Sequence, residues 1–344
     1  MKILADSFIP FLRGRLENYA DITYLHPDDF NPQTVADADA LLIRTRTRCG
    51  APLLSGSRVR FIASGTIGMD QFDLPWCASH DIAAFNSPGC NAPGVAQYVW
   101  SSLLHLGIDP AKITLGVIGH GNVGRIVAEW GRHLGARILL CDPPRADRGE
   151  KGYIPMEELL AQSDVITLHT PLTHDGNHPT YHLIGERELR LIRPGAVFIN
   201  AARGPVTATP ALVEAARRLS LRLIIDTWEG EPSDLNPELL ALAEIATPHI
   251  AGYSLQGKQR ATRMITENLC RFFGLPLATK QGEEGVKVWD LPEPYRPVES
   301  IGADQIASSY DPVADTRALR EAPASFEYMR DHYDYRSEPS AILC

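Results

Sequence analysis

A glycine-rich turn between an apolar run and an amphipathic segment is the feature that most limits what this chain can fold into. The stretch LGVIGHGNVGR places Gly119, Gly121 and Gly124 in the spacing GxGxxG, and NVGRIVAEWGRHLG continues it with helical periodicity. In a strand–turn–helix unit of this kind, the first glycine allows the tight turn. The second lets the backbone approach a pyrophosphate, and the third allows close helix–strand packing. The motif alone is weak, because an ordinary strand–turn–helix corner also contains glycines.

An acidic residue at the end of the next apolar run strengthens the dinucleotide interpretation. Asp142 closes ARILLCD, near the distance at which such domains place the acid that binds the adenosine ribose hydroxyls. A carboxylate there repels a 2′-phosphate, which predicts NAD as the cofactor. Arg145 and Arg148 follow in DPPRADR and keep NADP open, because an arginine can accommodate that phosphate. The free N–H groups at the helix start, at Asn122 and Val123, are predicted to bind the pyrophosphate.

Short apolar runs alternate with helical patterns over most of the chain, which is typical of parallel sheets covered by helices on both faces. Five runs in the first 90 residues predict strands: KILAD, DITYL, ADALLIR, VRFIAS and DIAAF. Six more follow: KITLGVIGHG, ARILLCD, SDVITLHT, GAVFINAARG, LRLIIDTWEG and AEIATPHIAG. The second series is the number expected of a complete dinucleotide-binding domain. We therefore predict an α/β chain with two Rossmann-like parallel-sheet domains.

Composition argues against several other classes of protein. The net charge of −9 is unsuited to general nucleic-acid binding, since phosphate contacts need clustered Lys and Arg. The six cysteines are scattered without a CxxC pair, which favours isolated thiols in a reducing cytoplasm over disulfides or a zinc site. No signal peptide or membrane-spanning run is predicted. His174, His178 and His182 recur every four residues, but Gly176 and Pro179 interrupt them, so we expect a surface loop and no metal site.

The last part of the chain differs from the rest. SLQGKQRATRMITENLCRFFG predicts a long amphipathic helix that returns the chain to the first domain, and from about residue 279 prolines and charges replace the regular alternation. SFEYMRDHYDYR near the end predicts one helix. Seven aromatic residues favour a small docking element over a disordered tail. They are Trp289, Tyr295, Tyr310, Phe326, Tyr328, Tyr333 and Tyr335.

Three of the later strands end in polar residues that suit one reaction. FINAARG ends in Arg203, LIIDTWEGEP contains Glu231, and IATPHIAGY contains His249. Ligands of open α/β sheets bind at the carboxyl ends of the strands, so these side chains are expected to converge. An arginine can bind a substrate carboxylate, a histidine can take a hydroxyl proton as hydride leaves, and a neighbouring carboxylate can orient the imidazole. The set predicts hydride transfer at a 2-hydroxy acid.

The chain resembles the D-2-hydroxyacid dehydrogenase family through six successive motifs: GHGNVGR, CDPPR, HTPL, INAARG, DTWEGEP and TPHIAGY. The resemblance extends over nearly the whole chain. It implies NAD-dependent oxidation of a small phosphorylated 2-hydroxy acid, with Arg203 and Glu231 in the active site and His249 as proton donor and acceptor. The implied cofactor contacts are Asp142, Thr170, Ala201, Asp226 and Gly252. The implied substrate contacts are Thr45, Thr66 and Tyr253.

The same resemblance implies three parts of the chain. Residues 1–92 with 254–278 would form a flavodoxin-like substrate domain, and residues 93–253 an NAD-binding Rossmann domain. Residues 279–344 would form a small C-terminal dimerisation segment. We therefore expect a homodimer that associates through this last segment.

A basic stretch in the first domain is the predicted site for a substrate phosphate. LLIRTRTRCG places Arg44, Arg46 and Arg48 just past a strand. If the strand continued, alternate residues would share one face and three arginines would form an anion site. A solvated basic loop is the alternative, and we favour it for Arg48. Arg44, which directly follows the apolar run, is the predicted phosphate contact.

Two alternatives remain open from the sequence. One is a sister dehydrogenase that acts on phosphoglycerate or on glyoxylate and hydroxypyruvate, because a shared fold does not determine the substrate. The other is an NAD(H)-sensing binding protein that keeps the fold without the reaction. The presence of Arg203, Glu231 and His249 together favours an enzyme.

Overall fold

The computed structural model describes residues 1–278, 283–287 and 302–339 and divides into two compact units, each built on a parallel sheet. The first unit contains Met1–Asn91 and the helix that begins at Leu255. The second contains Ala92–Ser254 and the described C-terminal helices. The predicted fold class, two parallel-sheet α/β domains, is confirmed. Trp289 and Tyr295, predicted to belong to a docking element, lie outside the described residues.

The first unit is a five-stranded sheet in the order β2-β1-β3-β4-β5, the flavodoxin-like order. Its strands are β1 (Lys2–Asp6), β2 (Asp21–Leu25), β3 (Ala40–Ile43), β4 (Phe61–Ser64) and β5 (Ala83–Phe85). With helices numbered along the chain, it contains α1 (Pro32–Val35), α2 (Ala51–Leu54), α3 (Leu74–Ser79) and α11 (Leu255–Phe273). A 3-10 helix at Pro27–Asp29 and the strand pair β12 (Leu277–Ala278) and β13 (Val286–Lys287) complete it.

Both faces of this first sheet are covered. Ala40 and Leu42 of β3 belong to one apolar cluster together with Leu269 of α11. Leu41 and Ile43, the alternate residues of the same strand, belong to a second cluster. Successive strand residues point to opposite faces, so an uninterrupted apolar run such as ALLI is what a sheet buried on both sides requires.

The second unit is a six-stranded sheet in the order β7-β6-β8-β9-β10-β11. Its strands are β6 (Thr114–Ile118), β7 (Arg137–Cys141), β8 (Val165–Leu168), β9 (Val197–Asn200), β10 (Arg222–Ile225) and β11 (Ala243–Ala246). Its α-helices up to residue 242 are α4 (Ala92–His105), α5 (Asn122–His133), α6 (Pro143–Asp147), α7 (Met156–Gln162), α8 (Glu186–Leu189), α9 (Thr209–Leu219) and α10 (Pro237–Leu242), with 3-10 helices at Pro110–Lys112 and Gly204–Val206. The strand order changes direction between β6 and β8. Their carboxyl ends therefore form the switch point at which open α/β sheets bind ligands.

The described part of the C-terminal segment packs on the second unit. It contains α12 (Ala303–Ser309), α13 (Pro312–Glu321), a 3-10 helix (Pro323–Ser325) and α14 (Phe326–Asp331). Ile306 and Tyr310 join one apolar cluster of the second sheet, and Leu319 and Phe326 join the other. The sequence placed residues 279–344 in a separate segment, whereas these four side chains are part of the core of the second unit.

One helix boundary also differs from the prediction. The helix expected over SFEYMRDHYDYR ends at Asp331, and Arg336 instead forms a parallel bridge with Ser254. Helical periodicity cannot predict this pairing, because the pairing depends on a residue far away in the sequence. No helix among the described residues has the length and apolar character needed to cross a bilayer.

Candidate active site

The glycine-rich turn lies at the switch point of the second sheet, between β6 and α5. Gly119 has a φ of +89°, and its amide donates to Cys141 O at 2.8 Å. A Cβ on Gly119 would lie 2.7 Å from the backbone carbonyl of His169, which follows β8. A Cβ on Gly124 would lie 2.0 Å from Gly119 O. Both positions exclude a side chain, the first because of the neighbouring strand end and the second because α5 packs on the turn.

The start of α5 is open to a ligand. Gly121 is the N-cap without a side-chain hydrogen bond to the helix, and the position of its missing Cβ faces open space. Asn122 and Val123 therefore present helix-terminal N–H groups of the kind that bind anions. Thr170, after β8, has a buried hydroxyl that lacks a hydrogen-bond partner within the described ranges. These donors fit the pyrophosphate and ribose of NAD, so this turn is where the chain would hold its cofactor.

Asp142 joins the turn to α6. Its Oδ1 accepts from Arg145 N at 3.1 Å, and its Oδ2 accepts from His120 N at 2.7 Å. The Arg145 guanidinium lies 3.9 Å from Asp142 but 2.7 Å from Glu150, which also pairs with Arg148 at 3.0 Å. Glu150 thus offsets the two positive charges, while Asp142 keeps a negative charge beside the turn. This arrangement favours NAD over NADP.

Asp142→Asn is expected to raise the ratio of kcat/KM with NADP to kcat/KM with NAD by roughly 10- to 100-fold. Asparagine keeps an oxygen that accepts from Arg145 N, but it removes the charge that repels a 2′-phosphate. Initial rates with both cofactors measure the ratio. Asp147→Asn, which changes an exposed carboxylate of the same helix, is the matched control. An unchanged ratio in Asp142→Asn would contradict the role of this charge.

His169, at the strand end that faces Gly119, is a neutral imidazole. Its Nε2 lies 3.0 Å from Thr167 Oγ1, and burial lowers the pKa of His169 from 6.5 to about 3. As pH falls below 6.5, the unfolded chain binds a proton at this position and the folded chain does not. The stability that this group contributes is therefore complete above pH 6.5 and is lost as pH falls toward 3.

His169→Gln is expected to reduce the fall in Tm between about pH 7 and about pH 4.5, because glutamine does not titrate in that range. Protonation of other groups on acidification lowers the stability of both proteins. The informative quantity is therefore the difference in Tm between wild type and variant at each pH. That difference should shift in favour of the variant on acidification. Parallel Tm curves would show that His169 does not resist protonation in the folded chain.

The loop after β9 carries Arg203 and packs against the segment after β10. Asn200 donates from Nδ2 to Arg203 O at 3.0 Å and accepts at Oδ1 from Ala202 N at 3.2 Å. Arg203 Nη1 donates to Ala202 O at 2.8 Å. A Cβ on Gly204 would lie only 2.0 Å from the backbone of Trp228. The glycine that follows Arg203 thus allows two loops from neighbouring strands to approach each other closely.

The segments after β10 and β11 bring Glu231 and His249 into contact. His249 Nδ1 lies 2.5 Å from Glu231 Oε1, and Glu231 Oε2 accepts from Trp228 N at 3.0 Å. The two side chains are mostly buried, with 26% and 22% of their surfaces exposed for His249 and Glu231. His249 has a φ of +55°, which is uncommon for a residue with a Cβ. The structure therefore pairs the two residues that the sequence placed at adjacent strand ends.

The charge on Glu231 determines which imidazole nitrogen is available. Burial alone would raise the pKa of Glu231, but the electrostatic interaction with His249 and the hydrogen bonds from His249 and Trp228 outweigh it and hold the pKa below its ordinary value. Glu231 is then an acceptor only, so His249 Nδ1 carries a hydrogen and donates it. The Nε2 atom of His249 is left as the acceptor for a substrate proton.

Asp226 is 1% exposed, and its carboxylate holds the loop that carries His249. Oδ1 accepts from Ile250 N at 2.8 Å and from Thr247 Oγ1 at 2.7 Å, and Oδ2 accepts from Ala251 N at 3.0 Å. Burial raises the pKa of Asp226, although these hydrogen bonds act in the opposite direction. The visible role of Asp226 is to shape the loop, and its contact with the cofactor stays a prediction.

Tyr253 lies at the end of the same loop and is half-buried. Its ring meets those of Tyr333 and Tyr335 edge-on, at centroid distances of 5.9 and 6.2 Å. Gly252 precedes it, and Ala201 lies in the loop after β9, both partly exposed. The cofactor contacts of Gly252 and Ala201 and the substrate contact of Tyr253 stay predictions.

The predicted phosphate residues belong to the first unit. β3 ends at Ile43, so the alternation that would have placed Arg44, Arg46 and Arg48 on one strand face does not extend to them. Arg44 and Arg46 are partly buried, whereas Arg48 is exposed. Arg44 Nη1 donates to Phe8 O at 3.3 Å. The basic stretch is therefore a loop in which Arg44 is held against its own unit.

The two predicted threonines differ in environment. Thr45 is exposed, whereas Thr66 follows β4 and its Oγ1 lies 2.7 Å from Ser64 Oγ. Gln71 Nε2 donates to the same serine oxygen at 3.0 Å. Thr66 is thus fixed by a small polar network, while Thr45 presents its hydroxyl at the surface of the unit.

Sequence reasoning missed several side chains that support this site. Tyr98 OH lies 2.8 Å from Thr247 Oγ1, and Trp228 Nε1 donates to Thr247 O at 2.9 Å. Thr247 in turn donates to Asp226. In the sequence these residues indicate only buried packing, because the atoms that they share come from distant segments.

Comparison with known proteins gives a consistent result. The family described as "D-isomer specific 2-hydroxyacid dehydrogenase, NAD binding domain" matches residues 93–251. That range contains the glycine-rich turn, Arg203, Glu231 and His249. An erythronate-4-phosphate dehydrogenase of Bacteroides fragilis is 43% identical over 350 residues, which covers 99% of this chain and 98% of that protein. An erythronate-4-phosphate dehydrogenase of Porphyromonas gingivalis is 40% identical, and the match covers 99% of this chain and 95% of that protein.

Solved structures share the fold. A D-lactate dehydrogenase from Aquifex aeolicus, complexed with NAD and lactic acid, is 26% identical with a TM-score of 0.66 and covers 80% of this chain and 96% of that one. An NAD-bound 3-phosphoglycerate dehydrogenase of Entamoeba histolytica is 22% identical with a TM-score of 0.68. The match covers 84% of this chain and 99% of that one.

Proposed function

The chain belongs to the D-isomer specific 2-hydroxyacid dehydrogenase family, and from that premise we propose that it oxidises 4-phospho-D-erythronate to (R)-3-hydroxy-2-oxo-4-phosphooxybutanoate with NAD. This reaction would place it in the biosynthesis of pyridoxal 5′-phosphate. The observation that carries the chemical part of the proposal is the contact between His249 and Glu231 at 2.5 Å. The observation that carries the substrate is the identity to erythronate-4-phosphate dehydrogenases along nearly the whole chain.

The proposed mechanism uses three side chains of the second unit. Arg203 binds the substrate carboxylate through charge-assisted hydrogen bonds and polarises the oxygen at C2. His249 Nε2 takes the proton of the C2 hydroxyl as the carbonyl forms. Glu231 accepts the hydrogen bond from Nδ1 and stabilises the imidazolium that results. Held at the glycine-rich turn, NAD would supply a hydride acceptor, so that loss of one proton to His249 and one hydride from C2 would convert the alcohol to a ketone.

A substrate panel with NAD tests this assignment, with the rise in NADH absorbance as the readout. We expect the highest kcat/KM with 4-phosphoerythronate. Faster oxidation of phosphoglycerate, or of the hydroxy acids related to glyoxylate and hydroxypyruvate, would assign the chain to a sister enzyme. Binding of NADH without turnover of any acid would support the sensing protein instead.

Arg44→Ala is expected to lower kcat/KM for 4-phosphoerythronate by roughly 10- to 100-fold, because a phosphate loses a charge-assisted partner. Oxidation of unphosphorylated erythronate should change little, since that substrate has no phosphate to lose. Arg48→Ala removes an exposed arginine of the same loop and is the control. An equal loss with both substrates would indicate damage to the loop, and no loss with either would remove Arg44 from the site.

We also propose that two copies associate through the C-terminal segment, residues 279–344. Tyr328 is 65% exposed and Val313 is 40% exposed, which is apolar surface that a second copy would cover. We further propose that the enzyme works in the reducing cytoplasm. Four of its cysteines are buried thiols without a disulfide, as such a compartment favours. They are Cys49, Cys77, Cys141 and Cys270.

A further inference from the structure

Arg336, near the end of the C-terminal segment, contacts the loop that follows β11. Its Nη1 donates to Ile250 O at 3.1 Å and to Tyr253 O at 3.3 Å, and its Nη2 donates to Ala251 O. Nη2 also donates to Gly94 O, at 3.1 Å, at the start of α4. A single guanidinium therefore binds three carbonyls of the loop that carries the catalytic histidine.

The amide groups of the same loop are held from another direction. Asp226 accepts from Ile250 N and Ala251 N, as described above. The peptide units after His249 are thus bound through their N–H groups by a carboxylate and through their C=O groups by Arg336. The positive φ of His249 is an uncommon backbone conformation, which persists only where the surroundings determine it strongly. Asp226 and Arg336 together provide such surroundings.

Other side chains of the C-terminal segment hold Arg336 in place. Its guanidinium carbon lies 4.2 Å from the ring centroid of Tyr310, and its Nη1 donates to Tyr333 OH at 3.3 Å. Both phenols donate to Asp315 Oδ2, at 2.7 Å from Tyr310 and 3.2 Å from Tyr333. Gln97 of α4 accepts from Arg336 Nε at 3.1 Å. Contacts within the chain therefore fix the guanidinium.

We propose that Arg336 is a positioning residue for the dehydrogenation: by fixing the loop from His249 to Tyr253, it sets where His249 Nε2 meets the substrate hydroxyl. The inference rests on the proposed function and adds a positioning role, within one chain, to a segment expected only to dimerise. Arginine is required because its planar group donates in several directions at once, whereas a lysine ammonium on one atom cannot span the same carbonyls.

Arg336→Lys and Arg336→Ala in the full chain test the proposal, with Arg317→Ala as the control because Arg317 is an exposed arginine of the same segment. Arg336→Lys is expected to lower kcat roughly 10- to 100-fold, since small misplacements of a catalytic group have effects of this size. The KM for NAD and the Kd for NADH should stay within about twofold, because the glycine-rich turn is unchanged. Added guanidinium ion should restore part of the kcat of Arg336→Ala and leave Arg317→Ala unaffected.

The outcomes separate the inference from the function on which it depends. Wild-type kcat in Arg336→Lys would overturn the inference while leaving the dehydrogenase assignment intact. Loss of NADH binding and of thermal stability in parallel with kcat would also overturn it, because that pattern indicates general unfolding. If Arg336→Ala does not fold, the kcat of the lysine variant decides alone. A wild type that oxidises no 2-hydroxy acid would overturn both the function and the inference.

Discussion

Replacing His249 with alanine is expected to lower kcat by roughly 10³- to 10⁴-fold, because the reaction loses the group that takes the hydroxyl proton. Binding of NADH should stay within about twofold of wild type, since the N–H and hydroxyl groups of Asn122, Val123 and Thr170, predicted to bind the pyrophosphate and ribose, lie after β6 and β8 and are unchanged. Rates of NADH formation at saturating substrate give kcat, and titration of NADH fluorescence gives Kd. The variant is therefore expected to bind NADH normally and to oxidise almost no substrate.

A second histidine–glutamate pair in the same unit provides the control for this variant. His182 Nε2 lies 2.7 Å from Glu229 Oε1, and His182, like His249, has a positive φ, of +50°. His182→Ala therefore removes a similar histidine–glutamate contact at a similar backbone conformation and should leave kcat unchanged. If His249→Ala kept more than about a tenth of the wild-type kcat, general-base catalysis by His249 would be contradicted.

The strands of both sheets could be predicted from sequence because each one corresponds to a short, local run of apolar residues. The central strands of a parallel sheet are buried on both faces and need uninterrupted apolar runs, as in ALLI of β3, whereas edge strands such as DITYL of β2 keep exposed polar residues. The segments from KILAD to AEIATPHIAG give eleven such strand signals, one for each strand of the two sheets. Strand order does not follow from the runs themselves. It follows from the right-handed crossovers of α/β units together with a dinucleotide-binding turn, which limit the topologies available.

The contact between Glu231 and His249 could be predicted for the same topological reason. Parallel strands end at one edge, so polar residues after β10 and β11 meet even though Glu231 and His249 are separated in the sequence. The hydrogen bonds that hold the loop from His249 to Tyr253 could not be predicted. Arg336 binds Ala251 O across 85 residues of sequence, and nothing around Arg336 in the sequence marks it as different from other arginines of the tail. A contact between a distant side chain and a backbone carbonyl leaves no periodicity or spacing to detect.

Glu231→Gln is expected to lower kcat by roughly 10³-fold, although the side chain keeps its size. Glu231 accepts two hydrogen bonds, from His249 Nδ1 at Oε1 and from Trp228 N at Oε2. A glutamine accepts at one of these atoms and presents N–H groups at the other, so one contact becomes a donor facing a donor. Amide-for-carboxylate replacement beside a catalytic histidine costs about 10⁴-fold in the serine-protease triad, where it imposes the wrong tautomer. The KM for substrate should change less than kcat, because Arg203, the proposed ligand of the substrate carboxylate, is unchanged.

The double variant Glu231→Gln/His249→Ala decides whether Glu231 acts through His249. If orientation of the imidazole is its only catalytic role, the double variant should have the kcat of His249→Ala alone, because residues that act as a unit are not additive. A further loss in the double variant would mean that Glu231 contacts the substrate or the cofactor directly. Glu229→Gln, in the other histidine–glutamate pair, controls for the loss of a partly buried carboxylate in this unit. A kcat for Glu231→Gln equal to wild type would show that His249 is oriented by its backbone alone.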